Sequence, residues 1–339
     1  MRAAQVEKYS KNNNSVKLVD IEKPSIGQKD VLIKVSAAGV NPLDNMIPRE
    51  EVKMIVPYKL PIVAGNEFVG IVEKVGEKVS KFKVKDRVFA RLPLNKIGAF
   101  AEYVSVDENA LALVPDYLSD VEAAAVPLTA LTIMQALDLM KAESGKTIFI
   151  SGGTGSVGAM AIPIAKAKGL TVITNGSGAN RDRVIELGAS RFIDYKTEDY
   201  VNTLSDVDYV LDTLGGNETE KQMKIMRKGG KVVSLRAMPN GSFAKRMNLP
   251  KWKQFLLGIA GRKFDKMAEK YGVHYHFIFV ESNGAQLQEV ADIFSKLQIK
   301  PSIDTVYPFE EVNAALDKVA NGRSRGKTVL SFTDGAADI

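Results

Sequence analysis

The stretch SGGTGSVG, residues 151–158, follows the apolar run KTIFI and precedes the helix-like run AMAIPIAKAKG. Its glycines allow a tight turn, close approach of backbone amides to a pyrophosphate, and close packing of helix on strand. The first amides of the helix and its dipole favour an anion. The stretch therefore predicts a dinucleotide site. Six of its residues are predicted to bind the cofactor: Gly152, Thr154, Gly155, Ser156, Val157 and Gly158.

Strand and helix patterns alternate after this loop. Apolar runs read as strands in LTVITNG, RFIDY, VDYVLDTLG, KVVSLR and HYHFIFVE, and ANRDRVIELGA and ETEKQMKIMRKGG read as helices. Such alternation predicts a doubly wound α/β domain, in which helices cover both faces of a parallel sheet. We place this domain at residues 124–300.

The flanking parts of the chain have a different pattern. Short apolar runs rich in β-branched residues and glycine, such as DVLIKVSAAGV and FVGIVEKVG, predict a β-rich domain over residues 1–123. A change to helical spacing near residue 124 marks the boundary. The tail, residues 301–339, reads as strand, helix and strand, and we expect it to return to the first domain.

Composition limits the possible classes of protein. The chain has 339 residues, enough for about two domains, and a net charge of +6. It has no cysteine, which excludes disulfides, thiolate metal sites and a cysteine nucleophile. The first residues lack the apolar core of a signal peptide, and no run suggests a membrane span. These features favour a cytoplasmic protein.

A basic segment, residues 237–273, interrupts the alternating pattern. Between Arg236 and Lys270 it has nine Lys or Arg residues against two acids, and it contains Trp252 and Phe255. A basic amphipathic helix of this kind is compatible with a membrane surface, a lid or simple packing.

The end of the second predicted strand bears on the choice of dinucleotide. NAD sites usually place an acid there to hold the ribose 2′-hydroxyl, but residues 174–177 contain none. The acid-free turn leaves room for a 2′-phosphate, with a hydrogen bond from Ser177, charge from Arg181 or Arg183, and Tyr195 closing the pocket. Alternatively, the arginines only solvate a helix face.

Several stretches, in order, resemble medium-chain dehydrogenases/reductases of the zinc-independent quinone oxidoreductase type. The resemblance covers nearly the whole chain and implies a GroES-like β-rich catalytic domain, a Rossmann NADP(H)-binding domain and a homodimer. It implies NADPH-dependent hydride transfer to quinones or to the C=C bond of α,β-unsaturated carbonyls, as in alkenal and enone reductases. The stretches are AAGVNPLDNMI, PIVAGNEFVGIVEKVG, AAAVPLTALTIMQAL, SGGTGSVG, LGASRFIDYKTED, VDYVLDTLGG and RSRGKTVLSF.

The resemblance also bears on metal. Zinc-dependent relatives have a Cys and a His-Glu pair at places that here hold Asn41 and Asn66–Glu67, so we expect no metal. The only histidines, His274 and His276, alternate in a predicted strand and are expected to point to opposite faces.

The same resemblance implies the remaining site residues. Asn41 would donate its amide N–H to a substrate oxygen, Asp44 would orient that network or merely cap a helix, and Tyr58 would be a phenol donor or plain core. With Asn41, Asp44 and Tyr58 as catalytic candidates, further cofactor contacts are expected at Thr129, Leu214, Leu235 and Phe279.

Two alternatives stay open. An enoyl-thioester reductase would use the basic surface to hold a carrier phosphate. A non-catalytic NADP(H)-binding scaffold or weak RNA-binding protein is the other, although no aromatic-basic RNA motif supports it. Relatives often have Lys or Arg where this chain has Ala179, which weakens the case for strict NADPH preference. We expect a small-molecule partner and no nucleic acid.

Overall fold

The computed structural model describes residues 1–10, 15–322 and 326–333. The strands are β1 Arg2–Val6, β2 Lys17–Asp20, β3 Asp30–Val40, β4 Ile62–Val63, β5 Glu67–Val75, β6 Arg87–Arg91, β7 Tyr103–Asp107, β8 Ala112–Leu113, β9 Thr147–Ile150, β10 Thr171–Gly176, β11 Arg191–Asp194, β12 Val207–Asp212, β13 Met226–Ser234, β14 His274–Phe277, β15 Ile303–Pro308 and β16 Lys327–Ser331. The helices are α1 Pro42–Met46, α2 Asp120–Ala124, α3 Pro127–Met140, α4 Ser156–Ala167, α5 Arg181–Glu186, α6 Asn217–Lys224, α7 Gly241–Arg246, α8 Lys251–Tyr271, α9 Gly284–Leu297 and α10 Val312–Asn321.

Contacts divide the chain into two units. Unit 1 is Met1–Leu131 with Glu281–Ile339, and unit 2 is Thr132–Val280. The predicted division placed residues 281–300 with the cofactor domain. They belong to unit 1 because α9 packs on its strands: the Gln288 side chain accepts from the Leu113 amide at 3.0 Å. A Cβ at Gly284 would lie 2.4 Å from the Leu111 carbonyl oxygen.

Unit 1 is built around β3. This strand pairs with β5 and β7, and with β16 from the far end of the chain. Its branched side chains enter a core with those of β5, β6 and β7, as alternating apolar residues in a sheet require. The antiparallel register Thr328↔Val40 continues to bring Lys327 opposite Asn41. The predicted return of the tail thus supplies a charged residue at the end of β3.

Unit 2 contains a six-stranded parallel sheet in the order β11-β10-β9-β12-β13-β14. The order reverses beside β9, so the glycine loop after β9 lies at the point where doubly wound sheets bind ligands. Buried Ile148, Phe149 and Ile150 form the centre of the sheet. The predicted fold class, a β-rich domain with a doubly wound α/β domain, is confirmed.

Three local predictions were wrong. The helix predicted over ETEKQMKIMRKGG ends at Lys224, and β13 begins at Met226, because the next stretch pairs with β12. The strand predicted over HYHFIFVE ends at Phe277. His274 and His276 lie on one face of β14, since residues two apart in a strand share a face.

The basic segment forms two packed helices, α7 and α8. A Cβ at Gly261 of α8 would lie 2.5 Å from the Asn240 Cβ, so glycine permits the close crossing. Asn240 donates to Asp265 at 2.6 Å, and the Phe264 and Tyr275 rings stack at 5.2 Å. Among the described residues, we find no helix long and apolar enough to traverse a bilayer.

Candidate active site and cofactor site

The end of β3 and the start of α1 position two candidate catalytic residues. Asn41 precedes Pro42, the first residue of α1, where a proline lacking an amide hydrogen costs nothing. The Asp44 carboxylate accepts from the Asn41 backbone amide at 2.7 Å. Asp44 therefore caps the helix start, and its other oxygen is left to bind a second group.

A buried network surrounds the Asn41 side chain. Its Nδ2 donates to Glu67 Oε1 at 2.8 Å, and its Oδ1 accepts from Lys327 Nζ at 2.6 Å. Lys327 Nζ lies 2.5 Å from Glu67 Oε1. The Leu128 amide donates to the second Glu67 oxygen at 2.6 Å. A lysine ammonium thus neutralises the Glu67 carboxylate in the interior, and Asn41 bridges the two.

Glycine at position 39 makes room for this network. A Cβ there would lie 2.4 Å from Glu67 Oε1 and 2.6 Å from the Ala124 carbonyl oxygen. The backbone atom cannot move as a flexible side chain can. Gly39 of the AAGV motif is therefore required because the buried Glu67 carboxylate packs directly against its Cα.

Asp44 has an unusual proton affinity. It is almost fully buried, and burial raises its pKa from 3.8 to about 6. Asn66 Nδ2 donates to its free oxygen at 2.7 Å, which opposes part of that rise. Asp44 can therefore hold or release a proton near neutral pH, a property that the sequence alone does not reveal.

Arg91 is a buried cation that sequence reasoning missed. It lies at the end of β6, paired in register with Glu67 of β5, and is fully buried. Its Nη1 donates to the Leu92 carbonyl oxygen, while Nε and Nη2 have no partner among the described residues. Burial lowers its pKa only to about 10, so it stays charged. The site therefore retains unused hydrogen-bond donors on a charged group.

Tyr58 lies within electrostatic range of this cluster. Burial raises its pKa to about 12, and the Arg91 charge acts in the opposite direction. Its hydroxyl is therefore protonated at neutral pH, and the donor role expected for Tyr58 stays a prediction. Tyr9 fixes the Tyr58 backbone by donating to its carbonyl oxygen at 2.7 Å.

The residues at the places of zinc ligands do not fit that metal. Asn66 gives its amide hydrogen to Asp44, and the Glu67 oxygen that faces Asn41 already contacts the Lys327 ammonium. Zinc sites use Cys, His or carboxylate ligands, and a nearby ammonium repels a cation. Within residues 1–10, 15–322 and 326–333, no group of three or more such ligands comes together.

The glycine loop of unit 2 fits a dinucleotide. Asn175 holds it, accepting from the Gly152 amide at 2.8 Å through its side chain. A Cβ at Gly153 would lie 2.1 Å from Thr174 Oγ1, and one at Gly158 would lie 2.4 Å from the Gly152 carbonyl oxygen. A Cβ at Gly155 would meet no protein atom closer than 3.5 Å, so space remains there for a ligand. The first-turn amides of α4 lack helical partners and can bind phosphate.

The region expected to surround the 2′ position of the cofactor ribose contains the three predicted side chains and one unpredicted acid. Arg181 begins α5 and is exposed, Ser177 is half-buried, and Tyr195 is 58% exposed. The acid Asp194, which sequence reasoning did not consider, ends β11 beside Gly176. A Cβ at Gly178 would lie 2.2 Å from its Oδ2. A carboxylate here can accept from a ribose hydroxyl and weighs against a phosphate.

The other predicted cofactor residues lie as follows. Thr129 is buried near the start of α3, in the part of that helix that belongs to unit 1. In unit 2, Leu214 follows β12 and is 45% exposed, and Leu235 follows β13, donating its amide to the Asp212 carbonyl at 2.9 Å. Phe279 is half-buried just after β14. The three unit 2 residues thus follow the carboxyl ends of adjacent strands, where such sheets bind ligands, and their contacts with a cofactor stay predictions.

The chain thus has two candidate sites. One is the glycine loop of a doubly wound sheet, and the other is the buried polar network of a β-rich unit. Residues 27–116 match the family of the alcohol dehydrogenase GroES-like domain, and residues 187–330 match the zinc-binding dehydrogenase family. The chain belongs to the medium-chain dehydrogenase/reductase family. It is an oxidoreductase of this family, whose members use a nicotinamide cofactor.

Individual relatives agree with this assignment. The chain is 32% identical to the NAD(P)H oxidoreductase RTN4IP1, mitochondrial, of Danio rerio, over 98% of this chain and 92% of that protein. It is 31% identical to the 2-methylene-furan-3-one reductase of Solanum lycopersicum, over 91% of this chain and 73% of that protein. The structure of the quinone oxidoreductase from Coxiella burnetii matches with a TM-score of 0.81 at 27% identity, over 98% of this chain and 99% of that one.

Proposed function

We propose that this protein reduces quinones or the C=C bond of α,β-unsaturated carbonyl compounds with NADPH, and that it does so without zinc. The relatives named as quinone and enone reductases support this substrate class. The observation that carries the proposal is the buried network, in which Lys327 and Asn41 occupy the polar space that zinc ligands would need.

The bound nicotinamide supplies the hydride, and residues of the chain stabilise the charge that results. Hydride addition at the β-carbon of an enone leaves negative charge on the carbonyl oxygen, which needs a preorganised donor. The unused Arg91 hydrogens and the protonated Tyr58 hydroxyl are suited to this role. Asp44, with its raised pKa, is suited to supplying a proton to the product.

We propose a positioning role for Asn41. One of its amide hydrogens goes to Glu67, and the amide also faces the Gly39 carbonyl at 3.4 Å. Because its oxygen accepts from Lys327, the side chain is fixed from both ends. Asn41 would then act on the reaction through Glu67 and through the Asp44 carboxylate that its backbone amide binds.

The preference for NADPH rests on Arg181. This side chain is exposed, begins a helix next to the predicted 2′ region, and has no partner among the described residues. A 2′-phosphate would give it one. Asp194 opposes this preference, so the ratio of NADPH to NADH affinity is the quantity to measure. Homodimerisation and a cytoplasmic location also stay proposals, which sedimentation and cell fractionation test.

The experiment is to follow the loss of NADPH absorbance with purified protein. A 2-alkenal, an ortho-quinone, a para-quinone and an enoyl thioester would be offered in parallel, with NADH in place of NADPH as the control. We expect oxidation with an alkenal or a quinone that a zinc chelator does not diminish. Oxidation with the thioester alone would indicate an enoyl-thioester reductase. Cofactor binding without turnover of any acceptor would indicate a scaffold.

Two variants test the proposed donors. Arg91→Met should lower kcat/KM on the preferred acceptor by roughly 10²-fold, as the loss of an oxyanion donor does. Tyr58→Phe should lower it less. Tyr103→Phe is the matched control, because the Tyr103 ring is covered by Lys23 at 3.6 Å. If Arg91→Met retains full turnover, the role of Arg91 is purely structural and the proposed donor is wrong.

A further inference from the structure

The outer face of α8 has an apolar part and a basic part. Trp252, Phe255, Leu256 and Ile259 recur at spacings of three and four residues, which places them on one side of a helix. Their exposures are 57%, 69%, 46% and 58%, so none is covered by the protein. We call these four residues the apolar patch. Large apolar side chains exposed together mark an interaction site more often than isolated ones do.

Positive charge continues the same face toward the C-terminus of the helix. Arg262, Lys263 and Lys266 are exposed, and no ion pair is found for them among the described residues. Both acids on α8, Asp265 and Glu269, are exposed as well; Asp265 accepts from Asn240 at 2.6 Å, and neither acid forms an ion pair with the three cations among the described residues. The face therefore combines an uncovered apolar patch with a surplus of unneutralised cations.

The helix is held in place by its inner face. Leu257, Gly261 and Ala268 are buried against the rest of unit 2. At its end, Lys270 and Tyr271 both contact Glu220, at 3.3 and 2.9 Å. The outer face is consequently a fixed surface, presented along a helix of 21 residues, roughly 30 Å in length.

We propose that α8 docks this protein on an anionic lipid surface. Aromatic and aliphatic side chains that enter the headgroup region, with basic side chains beside them, are the pattern of interfacial helices. Anionic headgroups would give the three cations oppositely charged partners, and each cation near such a surface contributes to the attraction. The docking is peripheral and does not depend on the proposed reaction.

A second copy of the chain suits this face poorly. Antiparallel pairing of two α8 helices over their full length would place the cations of one helix on the apolar patch of the other. Pairing through the patches alone would bury only four side chains from each chain. A stable protein interface buries about 1,200–2,000 Å² in total, which needs far more residues than this.

The chain has its own reporter for the test, because Trp252 is its only tryptophan. The full-length protein would be titrated with phosphatidylcholine vesicles and with vesicles containing about one third phosphatidylserine. We expect a blue shift of tryptophan emission and co-sedimentation with the anionic vesicles only. High salt should reverse the binding, since salt screens exposed charges.

Variants separate the two halves of the face. Lys263→Gln with Lys266→Gln should weaken partitioning roughly 30-fold, about fivefold for each charge, from ~1 kcal/mol per charge. The matched control, Lys8→Gln with Lys29→Gln, removes two exposed charges from unit 1 and should have no effect. Phe255→Ser with Ile259→Ser should abolish the emission shift, whereas Leu18→Ser with Val84→Ser should preserve it. Thermal melting would confirm that every variant is folded.

Four results would each overturn the proposal. The first is the absence of a shift with either vesicle. The second is an equal shift with neutral vesicles in high salt. The third is a dimer in vesicle-free sedimentation that Phe255→Ser with Ile259→Ser dissociates, since the patch would then be a self-interface. The fourth is a shift on addition of NADPH alone, which would make α8 a lid.

Discussion

Substitution of Lys327 by methionine tests whether the buried network stabilises unit 1. Lys327 and Glu67 are both almost completely buried, with Nζ 2.5 Å from Oε1. Removing one partner of a buried ion pair costs about 3–5 kcal/mol, because the remaining charge is left in a low dielectric. Glu67 would keep its bonds from Asn41 and the Leu128 amide. We therefore expect a loss near the lower limit, about 3 kcal/mol, or roughly 6–12 °C in the melting temperature of a unit of this size.

The location of the loss is as informative as its size. Hydrogen exchange followed by mass spectrometry should show faster exchange in peptides from β3, β5 and β16, with little change in β9 to β12. The double variant Glu67→Gln with Lys327→Met leaves no unpaired charge and should recover most of the stability. Lys300→Met is the matched control: its pair with Glu122 is at 3.0 Å but the lysine side chain is 63% exposed, so less than about 1 kcal/mol is expected. An equal loss in Lys327→Met and Lys300→Met would refute the reasoning.

Three further predictions concern single positions. Asp44 has a pKa of about 6 in the folded protein against 3.8 when unfolded. Its stabilising contribution is therefore present below pH ~4 and is lost as pH rises through 6, a fall in the free energy of unfolding on the order of 3 kcal/mol in full. Denaturation of Asp44→Asn, followed as a function of pH, should lack that fall. Gly158→Ala should destabilise unit 2, since its Cβ would lie 2.4 Å from the Gly152 carbonyl oxygen. Gly155→Ala should melt normally yet bind NADPH at least tenfold more weakly, because its Cβ would enter the space left for phosphate. Normal NADPH binding by Gly155→Ala would show that the phosphate lies elsewhere. Arg181→Ala should raise the Kd for NADPH roughly tenfold and leave that for NADH unchanged, by titration of cofactor fluorescence; equal effects on both would show that Arg181 does not meet a 2′-phosphate.

The parallel sheet was predictable because its pattern is local. A buried run such as KTIFI, a glycine loop and a helix each follow from neighbouring residues, and their repetition defines the order of strands. The errors arose where neighbours compete with distant partners. The predicted helix ran through Gly230, but Met226 pairs with Val207 of β12, and this pairing draws the stretch after Lys224 into a strand.

The buried network was only partly predictable. Asn41 and Asp44 were identified through resemblance, and their short separation explains the cap that joins them. Lys327 lies 286 residues beyond Asn41. It stands in the stretch RSRGKTVLSF, but nothing in that stretch indicates that its side chain meets Glu67 and Asn41. Arg91 gave a weak signal, as a charged residue at the end of an apolar strand. Burial and partners decide the chemistry of such residues, and both depend on the whole fold.

The arrangement of the units along the chain has a consequence for synthesis. Unit 2 is one continuous stretch, whereas unit 1 is closed by a segment that the ribosome makes after it. At about 5–20 residues per second, the 260 residues between Glu67 and Lys327 take roughly 13–52 s to appear. During that interval the Glu67 carboxylate has no lysine, and β3 has an unpaired edge where β16 will lie. During synthesis, the N-terminal part of unit 1 therefore stays incomplete at this edge of β3 until unit 2 has been made.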